Sequence, residues 1–140
     1  MAEFTAVALQ TVPANQSVYF TDTAICGNNS IVHRDGSGLV TLRGLTCQCR
    51  ARFRVMFGAN IAIPTGGTVE AISLAIAING EPVQSATMIE TPAAVEEFSN
   101  VFSAVFIDVP AGCCSQVSVR NTSTQDVDVQ NANLIIERVA

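Results

Sequence analysis

The chain has 140 residues, 49% of them hydrophobic and only 14% charged, with a net charge of −5. An acidic balance without a basic face excludes a nucleic-acid partner, and no apolar run reaches the ~18 residues of a membrane-spanning helix. A chain of this length suits one domain, 1–140, that buries roughly 68–70% of its unfolded surface and needs no metal to hold a core.

Residues 1–11 read as an N-terminal arm or first strand. They lack the basic start and long apolar stretch of a signal peptide, so the sequons at Asn15, Asn28 and Asn121 carry little weight. Turn chemistry in VPANQ and RDGSG then precedes a strand in SGLVTLRG. The stretch CQCRARFRVMF follows, from Cys47 to Phe57. Its odd positions, Cys47, Cys49, Ala51, Phe53, Val55 and Phe57, are apolar, whereas Arg50, Arg52 and Arg54 stand in a row on the other side. After the turn IPTGG, Ile72, Leu74, Ile76 and Ile78 alternate with Ser73, Ala75, Ala77 and Asn79. Asn79-Gly80 predicts a tight hairpin into EPVQSATMIE. TPAAVEEF carries a helical N-terminal signal but reads as an irregular connection or strand. NVFSAVFIDV alternates up to a turn at Pro110-Ala111-Gly112, and SQVSVRN, DVDVQ and NLIIERV complete the strands. Runs with a period of two recur every eight to twelve residues with no convincing helix between them. That spacing predicts an all-β sandwich or barrel.

The charge economy points to an oligomer. Typical domains carry about 25% charged residues, and this chain has too few to coat a free-standing sphere generously. All seven cations are arginine and none is lysine. Arginine is the cation of fixed, bidentate, interfacial pairing, so its exclusive use fits a surface committed to contacts.

Five cysteines, Cys26, Cys47, Cys49, Cys113 and Cys114, leave at least one unpaired within the chain. Cys47 and Cys49 lie about 6.5–7 Å apart along one strand face, an awkward span for a mutual disulfide. The favoured reading is small buried hydrophobes, ahead of disulfides within or between chains. A metal cluster of Cys47, Cys49, Cys113 and Cys114 ranks behind both, because the spacing is not that of a zinc finger. Asp126 and Asp128 share a strand face as calcium ligands could, but the clustered Asp, Asn and Gly of a dedicated loop are missing, and a solvated polar face is expected. No cofactor or metal is expected.

Nothing assembles into a catalytic constellation. The single histidine, His33, sits in VHRDGSG, where G-S-G is a turn and not a strand-to-helix nucleophile elbow. No phosphate loop, dinucleotide fingerprint or metal triad is present, so no catalytic residue is assigned and the chain is expected not to be an enzyme.

VPANQSVYF, SGLVTLRG, CRARFRVMFGAN, ISLAIAINGEPV, IDVPAGCCSQVSVRNTS and NANLIIERVA occur in that order over roughly residues 12–140. This series resembles the tumour-necrosis-factor-like jelly roll of complement-type globular heads. Within that group it is most similar to the C-terminal globular domain of bacterial collagen-like exosporium (spore-surface) glycoproteins. The resemblance implies a ten-stranded sandwich of two sheets that forms a compact homotrimer. It also implies that the sheet holding the first, third and last strands faces the three-fold axis. The chain departs from the group in having no Gly-X-Y stalk, many cysteines and the arginine row.

Set in that frame, the core-facing list Ala51, Phe53, Val55 and Phe57 turns Arg50, Arg52 and Arg54 toward neighbouring copies. Glu137, on the last strand, becomes the nearest acidic partner, with Asp126, Asp128, Glu96 and Glu97 behind it. The row reads as an intersubunit ion-pair ladder, against an anion site or a plain solvated face. The expected function is a non-enzymatic trimeric structural module of a surface or extracellular assembly: a spore layer, a virion fibre or decoration, or a filament. The alternative is a trimeric recognition head that binds a host protein or an anionic glycan through loops or an axial arginine cluster. A glycan is disfavoured by the absence of Trp and the single Tyr19. The partner is the chain itself. The compartment stays open between the cell, spore or virion surface and the cytoplasm.

Overall fold

A computed structural model of the chain describes residues 2–25, 30–44, 50–110 and 114–139. Among them are eleven strands: β1 (Ala2–Ala6), β2 (Gln10–Val12), β3 (Asp22–Ile25), β4 (Ile31–His33), β5 (Val40–Arg43), β6 (Arg50–Ala62), β7 (Ile72–Ile78), β8 (Glu81–Glu90), β9 (Ser99–Pro110), β10 (Cys114–Asn121) and β11 (Val127–Arg138). They form two antiparallel sheets. The first runs β3-β1-β11-β6-β9, with β2 also paired to β11; the second runs β4-β5-β10-β7-β8. Ala2 lies opposite Ile136, Arg43 opposite Cys114, and Arg50 opposite Pro110. The starts of β1, β6 and β10 therefore share one end of the sandwich with the ends of β5, β9 and β11.

The count exceeds the expected ten for a local reason. The N-terminal arm makes two strands, β1 and β2, which pair with different parts of β11 on either side of the bend at residues 7–9. DVDVQ and NLIIERV, in turn, are one strand. A bulge between Gln130 and Asn133, with Asn131 at φ 55°, resets the alternation within β11. Val127 and Val129 before it, and Leu134 and Ile136 after it, all reach the core.

Strand alternation builds that core directly. On β6, Ala51, Phe53, Val55 and Phe57 are fully buried, and the residues between them face away from the sandwich. Leu42, Ile72, Leu74, Ile76, Val117 and Val119 meet them from the second sheet, and Phe20 packs edge-on to Phe57 with ring centroids 6.2 Å apart. The Asn79-Gly80 hairpin forms as expected, with φ values of 53° and 85°. It is clamped to β10, since Asn79 Oδ1 accepts from the Gln116 amide at 2.9 Å and the Gly80 carbonyl accepts from Arg120 Nη1 at 2.8 Å. TPAAVEEF is an irregular connection, with Glu96 at φ 63°. Buried Asn121 holds the turn before β11, donating to the carbonyls of Val12 and Gln125 and accepting from the Ser123 amide.

Two expectations are corrected here. Cys114 is exposed, because it occupies the outward side at the start of β10, and is not a core hydrophobe. Cys26, Cys47, Cys49 and Cys113 lie outside the described residues. Asp126 and Asp128 do not share a solvated face: Asp128 is buried and accepts a 2.7 Å hydrogen bond from Thr11 Oγ1, whereas Asp126 is exposed in a loop.

Candidate functional site

The outward face of the first sheet can be read row by row from its register. Residues opposite one another in adjacent strands share a face, so each β6 residue marks a row across β9, β6, β11 and β1. At one end Asp108 faces Arg52. Next come Phe106, Arg54 and Glu137. The middle rows are Ala104, Met56, Ile135 and Glu3, then Phe102, Gly58, Asn133 and Thr5. Asn100, Asn60 and Gln130 come next, and Ala62, buried Asp128 and Thr11 close the far end. The face thus passes from charged, through apolar, to amide.

At the charged end the ion pairs lie within one copy. Arg52 grips Asp108 with two bonds, Nε to Oδ1 at 2.8 Å and Nη2 to Oδ2 at 3.2 Å. This hydrogen bonding, and then the carboxylate's charge, raise the pKa of Arg52 further, so its guanidinium stays charged. Arg54 pairs with Glu137 through Nη2, while its Nε is shielded from solvent and has no acceptor among the described residues. Arg50 begins β6 opposite Pro110. The structure therefore brings Arg54 and Glu137 together, as their strand order implies, and adds Asp108, which sequence reasoning missed. Asp126, Asp128 and Glu96 lie toward the other end of β6, beside Ala62–Gly67.

The middle of the face is apolar and uncovered. Phe102 and Phe106 are 63% and 60% exposed, large values for phenylalanine on a strand. Covering each ring would stabilise a complex by about 1.5–3 kcal/mol. Beside them a shallow groove of about 340 Å³ runs over Gly58, lined by Met56, Phe102 and Ile135 and rimmed by Asn60, Asn100, Asn131 and Asn133. The rim amides are partly engaged already, Asn100 donating to Asn60 and Asn133 to Glu3.

The edge next to this face is also open. β9 is the last strand of its sheet and β8 the last of the other. These neighbouring edges are 12 and 10 residues long; Ile89 is exposed on β8, and Phe98 is exposed just before β9. Long edges without lysine invite association, whereas β3 and β4, at the opposite side, have only four and three residues.

His33 belongs to the packing. Its ring is buried 4.5 Å from Phe4 between centroids, and Nε2 donates to the Ser37 carbonyl at 2.8 Å. Among the described residues no group of three His, Cys, Asp or Glu side chains is placed to hold a metal ion.

No protein-family model and no curated protein sequence matches the chain. Solved structures do. The Eiger TNF from S. frugiperda is 14% identical, with 99% of this chain and 91% of that one covered, at a TM-score of 0.72. The globular domain of zebrafish complement 1qA is 12% identical, covering 96% and 94%, at 0.62. Murine APRIL is 7% identical, covering 95% and 97%, at 0.59. At such identities the likeness concerns the fold, and the spore-surface likeness rests on sequence motifs alone. The chain is an all-β, two-sheet jelly roll of the kind shared by complement 1q and TNF-type domains.

Proposed function

We propose that the chain is a non-catalytic, self-assembling module, three copies of which close around the outward face of the first sheet to build a surface or extracellular structure. The observation that carries this reading is the apolar centre of that face, with Phe102 and Phe106 exposed beside an open 12-residue edge. A cyclic trimer joins two different patches of each copy, and the β8–β9 edge and the sheet face supply two such patches. The low charge content and the resemblance in the sequence motifs agree with it. Sedimentation velocity at micromolar concentration tests it. A three-copy particle is expected, and a lone subunit overturns the reading.

A second reading, a recognition head for a host protein or glycan, has one observation behind it: the amide-rimmed groove beside the exposed Phe102 ring. The arginine row lends it little support, since Arg52 and Arg54 already hold carboxylates. A folded lone subunit whose ligand binding is lost in Phe102→Ser would favour this second reading.

A further inference from the structure

We infer that the assembly carries an acid-release device: the carboxylates of Asp108 and Glu137 act as internal counter-ions that let copies pack against the arginine row, and their protonation drives the copies apart. This rests on the self-assembly reading and adds a regulation to it.

Two guanidinium groups, Arg52 and Arg54, lie on the charged end of the face, immediately beside exposed Phe106 and the apolar rows of Met56 and Ile135. Any cover placed over the phenylalanines also takes water away from these cations. A desolvated cation is tolerated when it is paired and strongly unfavourable when its partner is removed. At neutral pH both are paired inside their own copy, so the face meets its neighbour electrically closed and no ladder between copies is needed. The other titratable groups on this face are few. Among the described residues, β1 contributes Glu3, which accepts from Asn133, and β3 contributes Asp22 opposite Thr5; β9 contributes Asp108, and β11 contributes Glu137 and, at the far end opposite Ala62, buried Asp128. Arg138 lies opposite Phe53 in the register and so belongs to the other side of the sheet.

The sign follows from this inventory. Acid strong enough to protonate Asp108 and Glu137 removes their charge while the arginines stay charged. Each copy is then left with at least two unopposed cations on the covered face. Like charges from neighbouring copies repel, and each cation lacks the partner that offset its dehydration. Assembly is therefore favoured at neutral pH and lost in acid. Asp108 and Glu137 lie outside the core, so the loss of their charge acts on assembly and not on the packing of the subunit.

Sedimentation velocity at pH 7.5 and at pH 3, with circular dichroism to report folding, tests the inference. The unaltered chain should be assembled at the higher pH and dissociate into folded subunits at the lower. Asp108→Asn with Glu137→Gln should reproduce the acid state at pH 7.5, with a Kd about a hundredfold higher, and high salt should recover part of the loss. A variant that also carries Arg52→Gln and Arg54→Gln removes both signs together and should assemble at either pH. If the unaltered chain assembles equally at both pH values, or if the doubly neutralised variant assembles as tightly as the original, the device is overturned while the assembly reading stands. A lone subunit at pH 7.5 overturns the assembly reading, and this inference with it.

Discussion

The outward faces of the two sheets are built from the same alternation and end in opposite conditions. On the second sheet, Ala75 and Ala77 point away from the sandwich core and are nevertheless fully buried. Small side chains let their cross-strand neighbours Ser118, Arg120, Thr87 and Pro82 close over them. Arg120 finds its acceptor in the same copy, at the Gly80 carbonyl. The centre of that face finishes itself, and its exposed apolar residues, Ile89 and Val32, lie out on the edge strands β8 and β4. On the first sheet the equivalent positions hold Met56, Ile135, Phe102 and Phe106, which are too large to be roofed by neighbours on a flat sheet, and the phenylalanines stay mostly exposed. An apolar surface that a chain cannot cover by itself is where a partner gains most by covering it.

Phe102→Ser combined with Phe106→Ser tests this contrast most severely. Removing both rings should raise the Kd of assembly by about a hundredfold or more, while circular dichroism and the subunit's urea midpoint change little. The complementary change, Ala77→Leu, should do the reverse. It overpacks the closed face, lowers the stability of the fold by about 1–3 kcal/mol in urea titration, and leaves the sedimentation of the folded protein unaltered. Arg120→Ala removes one charged hydrogen bond and part of the roof over Ala75. A smaller loss of about 1–2 kcal/mol is expected, again without effect on subunit number. The smallest effect belongs to Cys114. Its exposed thiol should react with iodoacetamide in the folded protein, as mass spectrometry would show, with the melting temperature shifted by less than about 2 °C.

Much of the fold was legible because its signals are local. The Asn79-Gly80 turn needs two residues that tolerate positive φ, and both are present. The face of β6 was legible because arginine and phenylalanine differ so sharply that only one assignment of inside and outside is reasonable. β9 was harder. Val101, Val105 and Ile107 compete with Phe102, Ala104 and Phe106, and both sets are apolar. One signal could have decided it: Asp108 shares the parity of the two phenylalanines, and a carboxylate belongs outside. Reading it would have exposed the rings and supplied the missing partner of Arg52 together. The single strand made from DVDVQ and NLIIERV was hidden for a different reason. The bulge near Asn131 changes the parity in mid-strand, and a pattern with a period of two breaks there as it would at a loop.

Taken alone, the sequence determined that this chain folds into strands, where its turns lie, and which side of β6 is inside, because each of these depends on residues within a few positions of one another. Only the tertiary structure decided which carboxylate meets which arginine and which apolar face is left uncovered. Those outcomes depend on registers between strands far apart in the chain. β6 and β9 are separated by a whole hairpin of the other sheet, and nothing local tells Arg52 that it will lie opposite Asp108.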